Sequence, residues 1–174
     1  MPTSAPDAFT TPRLAWERLR PAHFDDILAM HQDPRQMEWL GGVRDAEATQ
    51  AYLERNLAHW DAHGFGLWML RDRADGRMVG RGLLRTFPLE GVDEVEIGYG
   101  LHPDHWGKGL ATEVAAACVE MGRTTLGRGT LVAVTHPGNV ASHRVLLKAG
   151  FAEDQRRDEE GGPQLIFRWR AGAA

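Results

Sequence analysis

Cysteine is nearly absent from this chain of 174 residues: Cys118 stands alone. An intramolecular disulfide is therefore excluded, and a cysteine-built structural zinc site has no support. Lysine is almost as scarce. Lys108 and Lys148 are the only two, so the basic residues are nearly all arginine. No stretch approaches the ~18 consecutive apolar residues that suggest a membrane span. The opening MPTSAPDAFTTP also lacks a basic start followed by an apolar run. Secretion and membrane insertion are thus disfavoured, and a cytoplasmic location is the default expectation. The net charge of −4 supplies no bulk attraction to nucleic acid or to an anionic membrane, so neither is expected as a partner, although a local basic patch stays open. The eight histidines show no HExxH and no paired ligand spacing, so no metal is expected. No repeat or linker divides the chain.

What is present suits one packed domain. Apolar residues make up 43% of the chain, enough for a core. Residues 1–12 are rich in Pro, Ser and Thr and read as a flexible tail; residues 13–174 read as a single domain. RLAWERLRP (13–21) alternates as a strand. AHFDDILAMHQ (22–32) has helical spacing, and Asp33–Pro34 caps a short helix after it. RDAEATQAYLERNLAHWDAHG (44–64) places Tyr52, Leu53, Leu57 and Trp60 on one helical face, with Gly64 as a stop. The period then changes. Strands are expected at 66–72, 77–87 and 92–101, a helix at 107–122, a strand at 130–136, a helix at 139–151 and a last strand at 164–170. This order predicts an α+β fold, with a mixed, mostly antiparallel twisted sheet of about seven strands and helices on both faces.

HPDHWGKGLATEV (102–114) raises a local question. Gly107 and Gly109 stand where a helix should begin, and glycine costs a helix roughly 1 kcal/mol relative to alanine. One explanation is an ordinary tight turn. The other is a ligand that needs bare backbone. A helix N-terminus presents free N–H groups and partial positive charge, and so holds phosphate. Lys108 would add a mobile cation there. The stretch is neither a Walker loop nor GxGxxG, because position 112 is Thr.

The surroundings sharpen this reading. EIGYGLHPDHWGKGLATE (96–113) is followed about thirty residues later by NVASHRVLLKAGF (139–151). Together they resemble the GNAT N-acetyltransferase superfamily. LRPAHFDDILAMHQDPRQMEWL and GFGLWML extend the similarity to the RimJ/RimL branch, which includes acetyltransferases of ribosomal-protein N-termini. The resemblance implies the GNAT fold, acetyl-CoA as cosubstrate and a primary amine as acceptor, either a protein N-terminus or a small molecule. It places the pyrophosphate loop on Asp104 to Gly109, with Trp106, Gly107, Lys108 and Gly109 in contact and the helix start at Leu110, Ala111 and Thr112 beside them. It implies that the backbone at Leu101 and His102 pairs with the pantetheine arm as an added strand would. Asn139 matches the family asparagine that faces pantetheine, and Ser142 matches the serine of its Asn-x-x-Ser pattern. Leu146 stands where many members carry a Tyr that protonates the leaving thiolate. Ser142 or a water then takes that role, or the thiolate leaves unprotonated; a thiol pKa of roughly 8.5 makes such help modest.

Acetyl transfer to an amine needs a base, because an alkylammonium has a pKa of roughly 10 and an α-amino group roughly 8. Strand alternation over 92–101 puts Val95, Ile97, Tyr99 and Leu101 on one face, expected to be core. Glu94, Glu96, Gly98 and Gly100 fall on the other, as the floor of a channel. Glu96 is the leading candidate base, through water, and Glu94 the second. Oxyanion stabilisation is expected from a backbone N–H around Gly98–Tyr99 where strand pairing is interrupted. Direct attack in a ternary complex needs no covalent nucleophile. Cys118 lies on a helix's apolar stripe and reads as core. Trp39, Trp60 and Trp68 read as core, Trp106 as a packing wedge, and His136 and His143 as flanking the Asn139 turn. The C-terminal LIFRW could pair across a homodimer or close the sheet internally. The alternative function is a CoA-binding sensor with weak or no transfer.

Overall fold

Hydrophobic spacing changes from helical to strand-like near residue 65, and the chain changes structure with it. The computed structural model describes residues 4–159 and 161–172. Its first half places β1 (Ala8–Thr10) and β2 (Leu14–Arg18) before three helices, α1 (Phe24–Gln32), α2 (Pro34–Met37) and α3 (Ala46–His63). There follow β3 (Leu67–Asp72), β4 (Met78–Leu89), β5 (Val92–Leu101), α4 (Leu110–Thr124), β6 (Thr130–Thr135), α5 (Val140–Lys148), β7 (Ala152–Glu159) and β8 (Gly162–Arg170).

Helix boundaries follow from local chemistry. Asp33 accepts from the Arg35 amide ahead of Pro34, and Asp45 accepts from the Ala48 amide to open α3. Gly64 closes α3 in the left-handed region, at φ 72°.

The strands form one sheet in the order β1-β2-β3-β4-β5-β6-β8-β7. Every neighbouring pair is antiparallel except β5–β6, which is parallel. Helices cover both faces. On β4, Arg81 turns toward α3 and bonds the Tyr52 hydroxyl, while Gly82 turns the other way, so close to α4 that a Cβ there would stand 3.0 Å from Val114. Trp16 and Trp68 share the Gly82 face of the sheet, and Trp60 near the end of α3 closes over them: the Trp68 ring meets Trp60 edge-on at 4.9 Å and Trp16 at 6.0 Å, all three buried.

Several expectations change. The described sheet has eight strands because residues 8–10, expected to be frayed, pair with β2, and residues 152–159, outside the expected strands, pair with β8. Ala5 is buried and Pro6 accepts from the Trp68 indole, so residues 4–10 are held against the core; residues 1–3 of the expected tail lie outside the described residues. The LIFRW segment lies inside the sheet, with β6 on one side and β7 on the other, so its backbone is not available for pairing across a dimer. Trp39 is 39% exposed and is not core.

Candidate active site

The parallel pair β5–β6 is matched at one register, Glu96 opposite Val132. Past it, among the described residues, no further pairing joins the two strands toward their C-terminal ends, and this unpaired stretch is a wedge-like gap in the ladder. The backbone facing that wedge can be assigned. The His102 N–H donates to the Val79 carbonyl at 2.8 Å, which sets the phase of the β4–β5 ladder. Even-numbered β5 residues turn their N–H and C=O toward β4, and odd-numbered ones turn theirs toward β6. The Tyr99 amide and carbonyl and the Leu101 amide therefore point into the wedge. The Leu101 carbonyl already accepts from the Trp106 indole at 2.8 Å.

At the wide end of the wedge lies the glycine turn. A short 3-10 turn, Pro103–His105, leads to Gly107 and Gly109, both left-handed at φ 71° and 74°, and the helix begins only at Leu110. The turn conformation itself thus requires glycine. A Cβ on Gly107 would meet nothing within 4 Å, so that side of the turn is open. Gly109 caps α4 without a side-chain bond, and among the described residues no acceptor meets the amides of residues 107–112. Arg13 clamps this helix end. It donates to the Lys108 carbonyl at 2.6 Å and pairs with Glu113 at 2.7 Å, and the Thr11 hydroxyl donates to the same carboxylate at 2.6 Å. Burial pulls the Glu113 carboxyl up, yet Thr11 and Arg13 hold it below the usual carboxylate range.

At the narrow end stands Glu96, 5% exposed, with Arg85 directly across the ladder and Arg85 Nε 2.6 Å from Glu96 Oε2. Burial pushes the Glu96 carboxyl above its ordinary range, and the guanidinium only partly offsets this. On the opposite face, the Tyr99 hydroxyl meets Ser142 Oγ at 2.9 Å, and burial pushes the phenol up to about 12. A buried carboxylate at the apex, an amide row along one wall and a hydroxyl pair behind it are the parts that acyl transfer to an amine needs.

Residues 13–152 match the acetyltransferase (GNAT) domain family. The chain belongs to the GNAT acetyltransferase family. It is an acyltransferase, as that family is. It is 32% identical to the uncharacterized protein YkkB of Bacillus subtilis over 121 residues, 70% of each chain. Its fold superposes on an acetyltransferase from Agrobacterium tumefaciens at TM-score 0.83, 29% identical, covering 96% of this chain and 95% of that one. RimL, a ribosomal L7/L12 alpha-N-protein acetyltransferase solved with coenzyme A, shares the fold at TM-score 0.74 and 15% identity, covering 94% and 97%.

Within this GNAT chain the expected site residues do not all converge. Glu94 lies beyond the closed end of the wedge. It is ion-paired with Arg168 and accepts from the Thr130 hydroxyl at 2.9 Å, while Arg168 also holds Asp154 at 3.1 Å. Both Glu94 oxygens are engaged in tying β5 to β8 across β6, so it is an anchor and not a second base. The His102 amide is occupied by Val79, so the strand-like groups open to a ligand sit at Tyr99 and the Leu101 amide. The His102 ring accepts from the Asp104 amide at 3.3 Å. Trp106 is 51% exposed and fixes the loop through its hydrogen bond to Leu101, not by burial. Asn139 Oδ1 caps α5 by accepting from the Ser142 amide at 3.1 Å. His143 Nε2 donates to the His136 carbonyl at 3.1 Å and its ring lies 5.3 Å from Phe167, while the His136 ring stacks on Trp39 at 4.9 Å. Leu146 is buried.

Sequence reasoning missed Arg85, the Arg13–Glu113 clamp and the polar role of Tyr99. Arg85 and Glu96 are eleven positions apart, and only the hairpin register of 84–97 brings them opposite. No spacing signal marks a clamp between residues 13 and 113.

Proposed function

We propose that this chain is an acetyl-CoA-dependent N-acetyltransferase of the RimJ/RimL-like branch, acting on a primary amine by direct attack in a ternary complex. One observation carries the reading: the wedge between β5 and β6 has the buried Glu96 at its closed end and the unpartnered amides of the Gly107–Thr112 turn at its mouth. The residues fit the cosubstrate. Bare backbone at Gly107 and the uncapped α4 terminus suit a pyrophosphate. The Leu101 amide and the Tyr99 carbonyl suit the amides of a pantetheine arm. Bound acetyl-CoA supplies the thioester carbonyl that the amine attacks.

Glu96, more basic than an ordinary carboxylate, takes a proton from the incoming ammonium through water. The Tyr99 N–H donates to the carbonyl oxygen as negative charge gathers there. The N–C bond forms, the C–S bond breaks, and the second proton lost by the nitrogen is relayed to the thiolate through the Ser142 hydroxyl, which is backed by Tyr99 and ends the cycle protonated as it began. With Leu146 apolar, this pair takes over the role of the Tyr that many family members carry there.

The test is free-thiol release from acetyl-CoA over a panel of amines, with products read by mass spectrometry. Release with at least one amine, lost in Glu96→Gln, is expected. CoA binding with no turnover on any amine would instead favour a sensor.

A further inference from the structure

The face of β5 that carries Glu96 also carries a cationic cluster that acetyl transfer does not use. Arg81, opposite Gly100 in the ladder, is 6% exposed. One of its terminal nitrogens donates to the Tyr52 hydroxyl, and its carbon lies 5.1 Å from the Tyr52 ring centre. Arg44 approaches the same ring at 5.4 Å and donates to the Leu40 carbonyl at 3.0 Å. Both guanidinium groups face the Tyr52 ring, and Arg81 also reaches Gly100, where a Cβ would stand 3.6 Å from Arg81 Nε and 3.7 Å from Leu40 Cδ1.

Two features point to a ligand. Arg81 Nε is buried and meets no partner among the described residues. Neither Arg44 nor Arg81 has a carboxylate within ion-pair distance among those residues, whereas Arg85 on the same face is paired with Glu96. Buried charge without a counter-ion is costly, and proteins normally pair it. The environment registers this excess charge. His31, buried against Tyr52 at 4.8 Å, is pushed down to about 4 by burial and by both arginines. Burial and the Arg81 charge lower Arg44 as well.

We infer that the acceptor amine carries an anionic group, a carboxylate or a phosphate, which Arg81 and Arg44 hold beside Tyr52 at the Gly100 end of the β5 floor. The inference rests on the acetyl-transfer reading and narrows it. Gly98 and Gly100 carry no side chains of their own, and Leu83, opposite Gly98 in the ladder, lies over it and makes the floor between the anion and Glu96 apolar. The Tyr99 amide lies one residue, about 3.4 Å, from Gly100 along the strand, so amine and anion are a few bonds apart. Such an acceptor is a compact amino acid or aminoalkyl phosphate, and not a polycationic amine, which the two arginines repel.

The experiment compares kcat/KM for matched acceptors: an α-amino acid against its primary amide, and 2-aminoethyl phosphate against ethanolamine. The anionic member is expected to be favoured by about tenfold to a hundredfold, the range for a charge-assisted hydrogen bond. The favoured pair tells carboxylate from phosphate. In Arg44→Gln, at a half-buried position, the ratio is expected to collapse toward one; the buried Arg81→Met is a second variant, and each is used only if its circular dichroism is native. Equal rates on charged and neutral members overturn the inference and leave acetyl transfer standing. If no amine is turned over, calorimetry of the CoA-loaded protein with inorganic phosphate and with N-acetylglycine decides: saturable binding lost in Arg44→Gln keeps the anion site, and no such binding removes it.

Discussion

Arg85 Nε donates to Glu96 Oε2 at 2.6 Å from the position directly opposite in the β4–β5 ladder. The pair keeps one wedge-facing carboxylate ionisable in a buried place. Glu96→Gln is expected to lower kcat by roughly 10²–10⁴, the usual worth of a general base, with far less effect on CoA affinity. The base must be unprotonated, so wild-type activity falls as pH drops through a value above the ~4.3 of a free glutamate. Arg85→Gln removes the cation that favours the charged form and moves this acid limb to higher pH. A pH–rate profile unmoved by Arg85→Gln would take the role of base away from Glu96.

Glu96 and Glu113 shift in opposite directions, so they affect stability with opposite sign. Glu96 binds its proton more tightly folded than unfolded, so its contribution to stability falls as pH rises from ~4.3 through the raised folded value. Glu113 holds its proton less tightly when folded. Its contribution is present above ~4.3 and is lost as pH falls through the lowered folded value. Urea unfolding at acid and neutral pH separates them. Glu113→Gln is expected to lose about 1 kcal/mol at neutral pH, discounted for the half-exposed Arg13, and little in acid. Glu96→Gln is expected to gain relative to wild type as pH rises.

Gly107 is left-handed with open space where a side chain would stand. Gly107→Ala is expected to cost about 1 kcal/mol in stability through backbone strain and to weaken CoA binding at least tenfold by placing a methyl in the approach to the turn. Gly127, beyond the other end of α4, has φ 63° and equally open space. Gly127→Ala should share the stability loss without the affinity loss. Thermal melts and calorimetry with CoA read the two effects separately.

The Tyr99–Ser142 hydroxyl pair joins β5 to α5 behind the wedge. Tyr99→Phe is expected to destabilise by about 1 kcal/mol, the net worth of one hydrogen bond. It should lower kcat severalfold while KM for acetyl-CoA stays within about twofold. Ser142→Ala should lower kcat by more, because the proton donated to the thiolate is its own. Rates with acyl thioesters of more acidic thiols are expected to recover, since those thiolates need no proton.

Cys118 is buried at the α4–sheet contact, its thiol directed at the Leu83 carbonyl at 3.8 Å and pushed up to about 12 by burial. It is expected to ignore an aromatic disulfide reagent in native protein and to react completely in denaturant. Fast native labelling would place this face of α4 in solvent.

The amino-acid order alone determined most of the elements, since the spacing of apolar residues, Asp45, Gly64 and the Gly107–Gly109 turn act within a few residues of themselves, whereas the two edge strands, 8–10 and 152–159, form only where a neighbouring strand offers a partner. It also marked Glu96 and the amide-bearing helix start, because strand alternation and glycine chemistry are local. Tertiary structure decided everything that depends on which strand lies beside which. Register set Arg85 against Glu96, drew Glu94 away to Arg168, and turned the Tyr99 and Leu101 amides toward the gap while giving the His102 amide to Val79. The same closure brought residue 13 to residue 113 and left Arg44 and Arg81 around one tyrosine with no counter-charge among the described residues. Those contacts join residues far apart in the chain. Their energies depend on burial and on partners that no short stretch of sequence contains.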